Sequence, residues 1–224
     1  MTLPVYEAYA IKYGDRVGTR GKIFVHGDPH DAPLGMDYFV WVIKNEELTV
    51  VVDVGYGREE GEKRGRTFLR CPTDGMRLVG VDPDTVEDVI ITHMHYDHAG
   101  NLELFPKARF HIQDSEMEFV TGRAMTHKAM RHSFVLRDVQ EMIAMLYGDR
   151  VVFHDGDEVL YPGIELYHVP GHTRGLQCVR VQLQIGLGML YCIHSVSYTH
   201  LRAHETRHDL VCSHLLDKKK GGGG

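Results

Sequence analysis

The sequence predicts an α+β fold in which two β-sheets pack face to face and helices cover them. Three observations predict it. Short strand-type runs occur in both the first and the last third of the chain. A long helix-type stretch, residues 124–147, lies between them. An apolar run, Val89-Ile90-Ile91, reads as a buried strand and leads straight into a histidine-rich turn.

The elements follow in order. Residues 5–11 read as a first strand, and residues 14–35, rich in Gly, Asp and Pro, as a loop carrying solvated His26 and His30. Residues 38–43 and 48–52 form a hairpin around Lys44-Asn45-Glu46-Glu47, ending at Asp53-Val54-Gly55. Residues 58–70 are highly charged and suit a solvated helix or loop before Cys71-Pro72. Asp82 caps a short helix over 83–88 that feeds the strand 89–91. Gly100-Asn101 opens a short helix ending near Pro106, and 109–113 is a strand whose His111 is packed or exposed rather than a ligand. Ser115 and Glu118 match a capping box for a helix over 115–122. Residues 124–147 read as helix, stopping at Gly148, with His127 and His132 on the polar side. Met125, Met130, Phe134, Met142, Met145 and Leu146 in it suit ordinary core packing or the lining of an acyl-chain pocket. Residues 151–154, 158–161, 164–169, 179–183 and 189–193 complete the strands.

The chemistry gathers in Thr92-His93-Met94-His95-Tyr96-Asp97-His98-Ala99-Gly100. Grouped imidazoles and a carboxylate suit zinc or a similar borderline metal, and a strand end is a rigid mount for them. Alternation puts His93 and His95 on one side of the chain, while Asp97 and His98 face a second position after the turn. A further donor is His172 in Pro170-Gly171-His172-Thr173-Arg174-Gly175, where flanking glycines let the backbone come close to the metal loop. A lone histidine is more often a surface or core residue. Four metal-type side chains at this spacing, with a second glycine-flanked histidine, point to a metal centre.

Composition narrows the partners. Hydrophobic content is 43% and charged content 25%, ordinary for a globular chain of 224 residues. The net charge of −6 argues against nucleic acid and against an anionic membrane. Four cysteines, Cys71, Cys178, Cys192 and Cys212, show no paired spacing. The first residues lack a basic-then-apolar leader, no run reaches membrane-spanning length, and a reducing cytoplasm fits.

His93-x-His95-x-Asp97-His98 followed downstream by Gly171-His172-Thr173 resembles the metallo-beta-lactamase superfamily, over residues 5–193. Met36-Asp37-Tyr38-Phe39-Val40-Trp41, residues 89–105 and Phe153-His154-Asp155-Gly156-Asp157 resemble its N-acyl homoserine lactonase family. The resemblance implies a four-layer αββα metallo-beta-lactamase-like sandwich. It implies two Zn2+ or similar ions, with His93, His95 and His172 on one and Asp97 and His98 on the other. Asp53, matching the family's Asp-x-Gly, is either a carboxylate orienting a ligand histidine or a plain strand-end turn. The implied activity is hydrolysis of a small lactone or ester, N-acyl homoserine lactone first, by hydroxide generated at the metals. With one metal alone, Asp97 becomes the general base. Alternatives are a thioesterase of the glyoxalase II type, a mononuclear iron dioxygenase acting on a persulfide, and a metal-binding protein without activity.

Residues 195–224 stand apart. They resemble one translated frame of a sequencing-library adapter, ending in Lys218-Lys219-Lys220 and four glycines, rather than any domain. His200, His204, His208 and His214 are therefore set aside as ligands. Without that tail the chain has 20 basic and 28 acidic residues, a net charge of −8. Residues 1–194 then form an incomplete hydrolase domain, truncated at its C-terminal side. The resembled family has a metal-bridging Asp after its counterpart of 189–193 and a later His ligand, whereas here Cys192-Ile193-His194-Ser195 follows. Resequencing the gene is expected to show an Asp soon after codon 193 and then a His. Finding the same tail in an independent clone would remove that expectation.

Overall fold

A computed structural model describes residues 3–19 and 32–183, and 186–190 for the backbone alone. Strands Glu7–Thr19 (β1) and Pro33–Lys44 (β2) pair antiparallel along almost their full length, Glu7 opposite Lys44 and Thr19 opposite Pro33. The sequence reading gave residues 14–35 to a loop. Both ends of that stretch are paired backbone instead: Gly14 faces Tyr38 and Val17 faces Gly35, after a register shift between Lys12 and Gly14. Cross-strand pairing outweighs turn-type composition. His26, His30 and all of residues 191–224 lie outside the described residues.

The expected hairpin follows, with Asn45 accepting the amides of Glu47 at 2.9 Å and Leu48 at 2.8 Å before Thr49–Val52 (β3). Thr67–Phe68 (β4) pairs with β1. Asp88–Ile90 (β5), Arg109–Gln113 (β6) and Val151–His154 (β7) extend the sheet beyond β3 in parallel. The order is β4-β1-β2-β3-β5-β6-β7. A second, antiparallel sheet contains Glu158–Tyr161 (β8), Ile164–His168 (β9), Gln177–Leu183 (β10) and Gly186–Leu190 (β11) in the order β11-β10-β9-β8.

Period-two alternation sorts the apolar side chains into two cores. Ile43, Val50, Val52 and Ile90 meet Ile164, Leu166, Val179 and Val181 between the sheets. Val42, Val51, Val89 and Ile91 point the other way, in one cluster with helical Met76, Met117, Val120, Val139 and Met142. Each fully buried aliphatic side chain contributes about 1.5–3 kcal/mol. On the far face of the second sheet, Glu165, Tyr167 and Arg180 are half-buried. The described residues thus build helix, sheet and sheet, three layers of the expected four.

Two helical expectations need correction. Pro72–Leu78 is a helix the sequence reading did not identify, begun by Pro72 at its first turn. Residues 124–147 are not one helix but Arg123–Thr126, Lys128–Arg131 and Leu136–Tyr147. The second interruption coincides with tertiary bonds: the carbonyl of His132 accepts from Arg64 at 2.9 Å and that of Ser133 from the Tyr96 amide at 2.9 Å. His127 and His132 are exposed, as expected. No helix among the described residues is long and apolar enough to cross a membrane.

His111 is packed rather than exposed, in a polar chain that runs along the sheet from buried Asp88 to exposed Glu158. Its Nε2 lies 2.9 Å from Asp88 Oδ1 and its Nδ1 3.0 Å from His154 Nε2, while His154 Nδ1 lies 2.6 Å from Glu158 Oε2. Burial pushes the Asp88 carboxyl up, but hydrogen bonds from His111 and Tyr161 outweigh it and hold the group below its ordinary value.

Asp138, in the first turn of Leu136–Tyr147, is the opposite case. Burial first, and then the Glu141 and Glu60 charges, raise its carboxyl to about 7. The folded state then holds a proton the unfolded chain has released, so this group's stabilisation is full below about pH 4 and is lost as pH rises through about 7. Asp138→Asn should flatten that slope and raise stability at pH 8 by on the order of 2 kcal/mol in urea denaturation. Identical pH profiles for the two proteins would contradict this.

Candidate metal centre

Three neighbouring parallel strands end on the same edge of the large sheet, and each delivers part of the site there. Asp53 follows β3, Thr92 to Gly100 follow β5, and the helix Asp114–Thr121 follows β6. The turn bearing His172 joins β9 to β10. It is tied in by the Gln177 amide, which donates to Thr92 O at 3.0 Å, and by Gln177 Nε2, which reaches the carbonyls of Ile91 and His111, each at 3.0 Å. Strand ends in open α/β sheets are where ligand crevices form.

The turns converge. One ring nitrogen from each of His93, His95 and His172 lies within 4.8 Å of the others. His93 Nε2 and His95 Nδ1 are 3.1 Å apart. Nitrogens about 2.0–2.1 Å from a tetrahedral zinc sit about 3.3 Å from each other. His93 is buried, His95 half-buried and His172 exposed, so the cluster opens outward. Although the residue is exposed at its rim, desolvation of the ring where it faces the other imidazoles, and then the nearby His98, lower the His172 pKa, which favours the neutral ligating form.

Asp97 and His98 form a pair beside the three histidines, with Asp97 Oδ2 3.6 Å from His98 Nε2 and the His98 ring centre 4.0 Å from that of His93. Both are buried in the short helix Tyr96–Ala99, with His95 as its N-cap. Tyr13 holds this helix by donating to Asp97 O at 2.7 Å. Burial pulls His98 down, but the Asp97 and Asp53 carboxylates outweigh it and raise its pKa.

Asp53 meets the orienting alternative rather than the plain turn. It is fully buried at φ +61°, a left-handed conformation that Asp tolerates better than most residues. That conformation turns its carboxylate back onto the loop. Oδ1 accepts the Thr92 amide at 2.7 Å, and Oδ2 accepts the Thr92 hydroxyl at 2.8 Å and lies 2.7 Å from His98 Nδ1. His98 therefore donates through Nδ1, which leaves Nε2 as the nitrogen a metal would take on displacing its proton. Thr92 Oγ1, its proton given to Asp53, sits 3.1 Å from His93 Nδ1 and assigns His93 the same tautomer. The donor set fits a divalent metal: imidazoles held with lone pairs converging, backed by a buried carboxylate.

Sequence reasoning missed Glu116. The capping-box reading put Ser115 at the helix start, but Gln113 is the N-cap and no side chain caps it there. Glu116 instead turns inward, fully buried, and accepts the amides of Met94 and Gly175, each at 2.9 Å. Burial raises its carboxyl pKa against the lowering by those amides. The sequence shows only a Glu in the first turn of a helix after a strand, an ordinary exposed position, so nothing local marks it. The two glycines beside His172 also differ in use. Gly171 takes φ +143°, a backbone conformation other residues avoid, whereas a Cβ on Gly175 would lie 2.2 Å from the Glu116 nitrogen. Phe134 lines the cluster, its ring centre 4.6 Å from that of His95, with Phe119 behind it at 5.9 Å.

Known proteins resemble this chain in sequence and in fold. The family model described as metallo-beta-lactamase superfamily matches residues 35–186. An N-acyl homoserine lactonase of a Bacillus species is 29% identical over 180 residues, which is 73% of this chain and 66% of that protein. The match thus spans slightly less than two thirds of that relative's length. The crystal structure of a quorum-quenching N-acyl homoserine lactone lactonase superposes with a TM-score of 0.68 at 20% identity, covering 84% of this chain and 74% of that one. AidC, a dizinc quorum-quenching lactonase solved with a product, superposes with a TM-score of 0.67 at 18% identity, covering 84% and 71%.

Asp53→Asn keeps the left-handed backbone preference and removes only the carboxylate. It leaves Thr92 and His98 short of an acceptor, so it should cost about 2–4 kcal/mol in urea denaturation of the metal-free protein. A cost near zero would mean the carboxylate does not organise the loop.

Proposed function

Because the chain belongs to the metallo-beta-lactamase superfamily, we propose that it carries the hydrolytic domain, residues 1–194, of a metal-dependent lactonase acting on N-acyl homoserine lactones or closely related esters. The observation that carries this reading is the meeting of His93, His95 and His172, with Asp97 and His98 alongside. The similarity to the Bacillus lactonase supports the substrate class.

In this reading His93, His95 and His172 hold one zinc-like ion, and Asp97 and His98 contribute to a second. The dizinc centre of AidC supports the pair. Such ions, when bound, acidify water and polarise a carbonyl. The chain's own residues do the rest. Asp53 fixes the tautomer of His98, and Thr92 that of His93, so both rings offer the correct nitrogen. With a single ion bound, Asp97 would instead accept the proton of the attacking water. Phe134 and Phe119 form the apolar wall against which an acyl chain lies and from which water is excluded.

The test is ring opening of N-acyl homoserine lactones by the purified protein, alongside elemental analysis. His95→Ala should lose most bound metal and lower turnover by about 1,000-fold or more, whereas Phe134→Ala should raise KM most for long acyl chains. Metal-loaded protein that hydrolyses glutathione thioesters but no lactone would shift the substrate class. Full metal content and normal turnover in His95→Ala would refute the site.

A further inference from the structure

Glu116 is not among the proposed ligands, yet it touches both turns that supply them. It lies in the helix Asp114–Thr121, which leaves the end of β6 beside the metal loop. Its Oε1 accepts the amide of Met94, the residue between His93 and His95. Its Oε2 accepts the amide of Gly175, in the turn that carries His172. The carboxylate is fully buried and the two bonds are equal in length, 2.9 Å each. Only glycine fits at 175, because a Cβ there would meet Glu116 backbone and side chain at 2.2–2.6 Å.

We infer that Glu116 is a positioning residue: one buried carboxylate bridges the two histidine turns and sets the separation at which their imidazoles share a cation. The inference rests on the metal-centre reading. A single anionic acceptor shared by two backbone donors fixes both donors relative to each other, as no separate pair of hydrogen bonds could. Gln177 ties the far end of the His172 turn to Thr92, and Glu116 adds a fixed point beside the histidines themselves, where coordination tolerates little displacement.

Glu116→Gln, Glu116→Ala and Gly175→Ala in the full chain test this, by cobalt(II) titration followed in the visible spectrum and by amide hydrogen exchange on metal-free protein. Glu116→Gln keeps one acceptor and should weaken cobalt binding about 10–100-fold. Glu116→Ala should weaken it further, alter the cobalt bands and speed exchange at both Met94 and Gly175. Gly175→Ala keeps the carboxylate but wedges the turn away, so it should also weaken cobalt binding. If Glu116 serves folding alone, the variants lower the metal-free melting temperature while cobalt affinity, spectrum and those two exchange rates stay at wild-type values. That result overturns the inference. Wild-type protein that takes up no cobalt would overturn the metal-centre reading instead, and the exchange rates would then decide the bridge by themselves.

Discussion

The site depends on one buried carboxylate, Asp53, held in a left-handed turn at the end of β3. A buried anion is costly unless hydrogen-bonded, and this one is satisfied by the Thr92 amide, the Thr92 hydroxyl and His98 Nδ1. Its satisfaction forces the start and the middle of the histidine loop into one geometry. Backbone bonds continue the join: Val54 N donates to His98 O, and Gly100 N to Gly55 O, each at 2.8 Å. The loop is therefore a rigid extension of two adjacent strands rather than a tether carrying ligands.

The same economy recurs at the other junctions. Gln177 links the first residues of β10 to β5 and β6, and Gln113 bonds both Gln177 and Gly156. These amides satisfy carbonyls where the sheets diverge and the apolar inter-sheet core ends. Polar side chains hold the edge that apolar ones cannot reach, while Ile90, Val50, Leu166 and Val179 hold the interior. Buried polar groups that are fully bonded add specificity of geometry, which is what a coordination centre needs.

Aromatic packing supports the loop from below. Tyr13, Tyr38, Tyr56 and Tyr96 form an edge-and-stack cluster, with ring centres between 4.8 and 6.2 Å apart. Arg66 donates to the Tyr96 hydroxyl at 3.0 Å, so the charged stretch after Asp53 is not merely a solvated surface. Burial raises the pKa of Tyr13, Tyr38 and Tyr56 and keeps them neutral.

By itself the sequence determined the strands with clean alternation, the hairpin at Asn45 and the two-sheet plan, and it singled out His93, His95, Asp97, His98 and His172 as side chains of metal-binding type. Those features are local: periodicity, turn residues and ligand spacing are written in consecutive positions. Tertiary structure decided the rest. Residues 14–19 became strand because β2 supplied a partner, and the helix expected over 124–147 divides where Arg64 and Tyr96 bond the carbonyls of His132 and Ser133, and again at His127. Asp53 took its orienting role only when β5 lay beside β3, and Glu116 gained its place only when the turn carrying His172 folded onto the metal loop. Hydrogen bonds between residues far apart in sequence leave no periodic trace, so composition and spacing cannot reveal them.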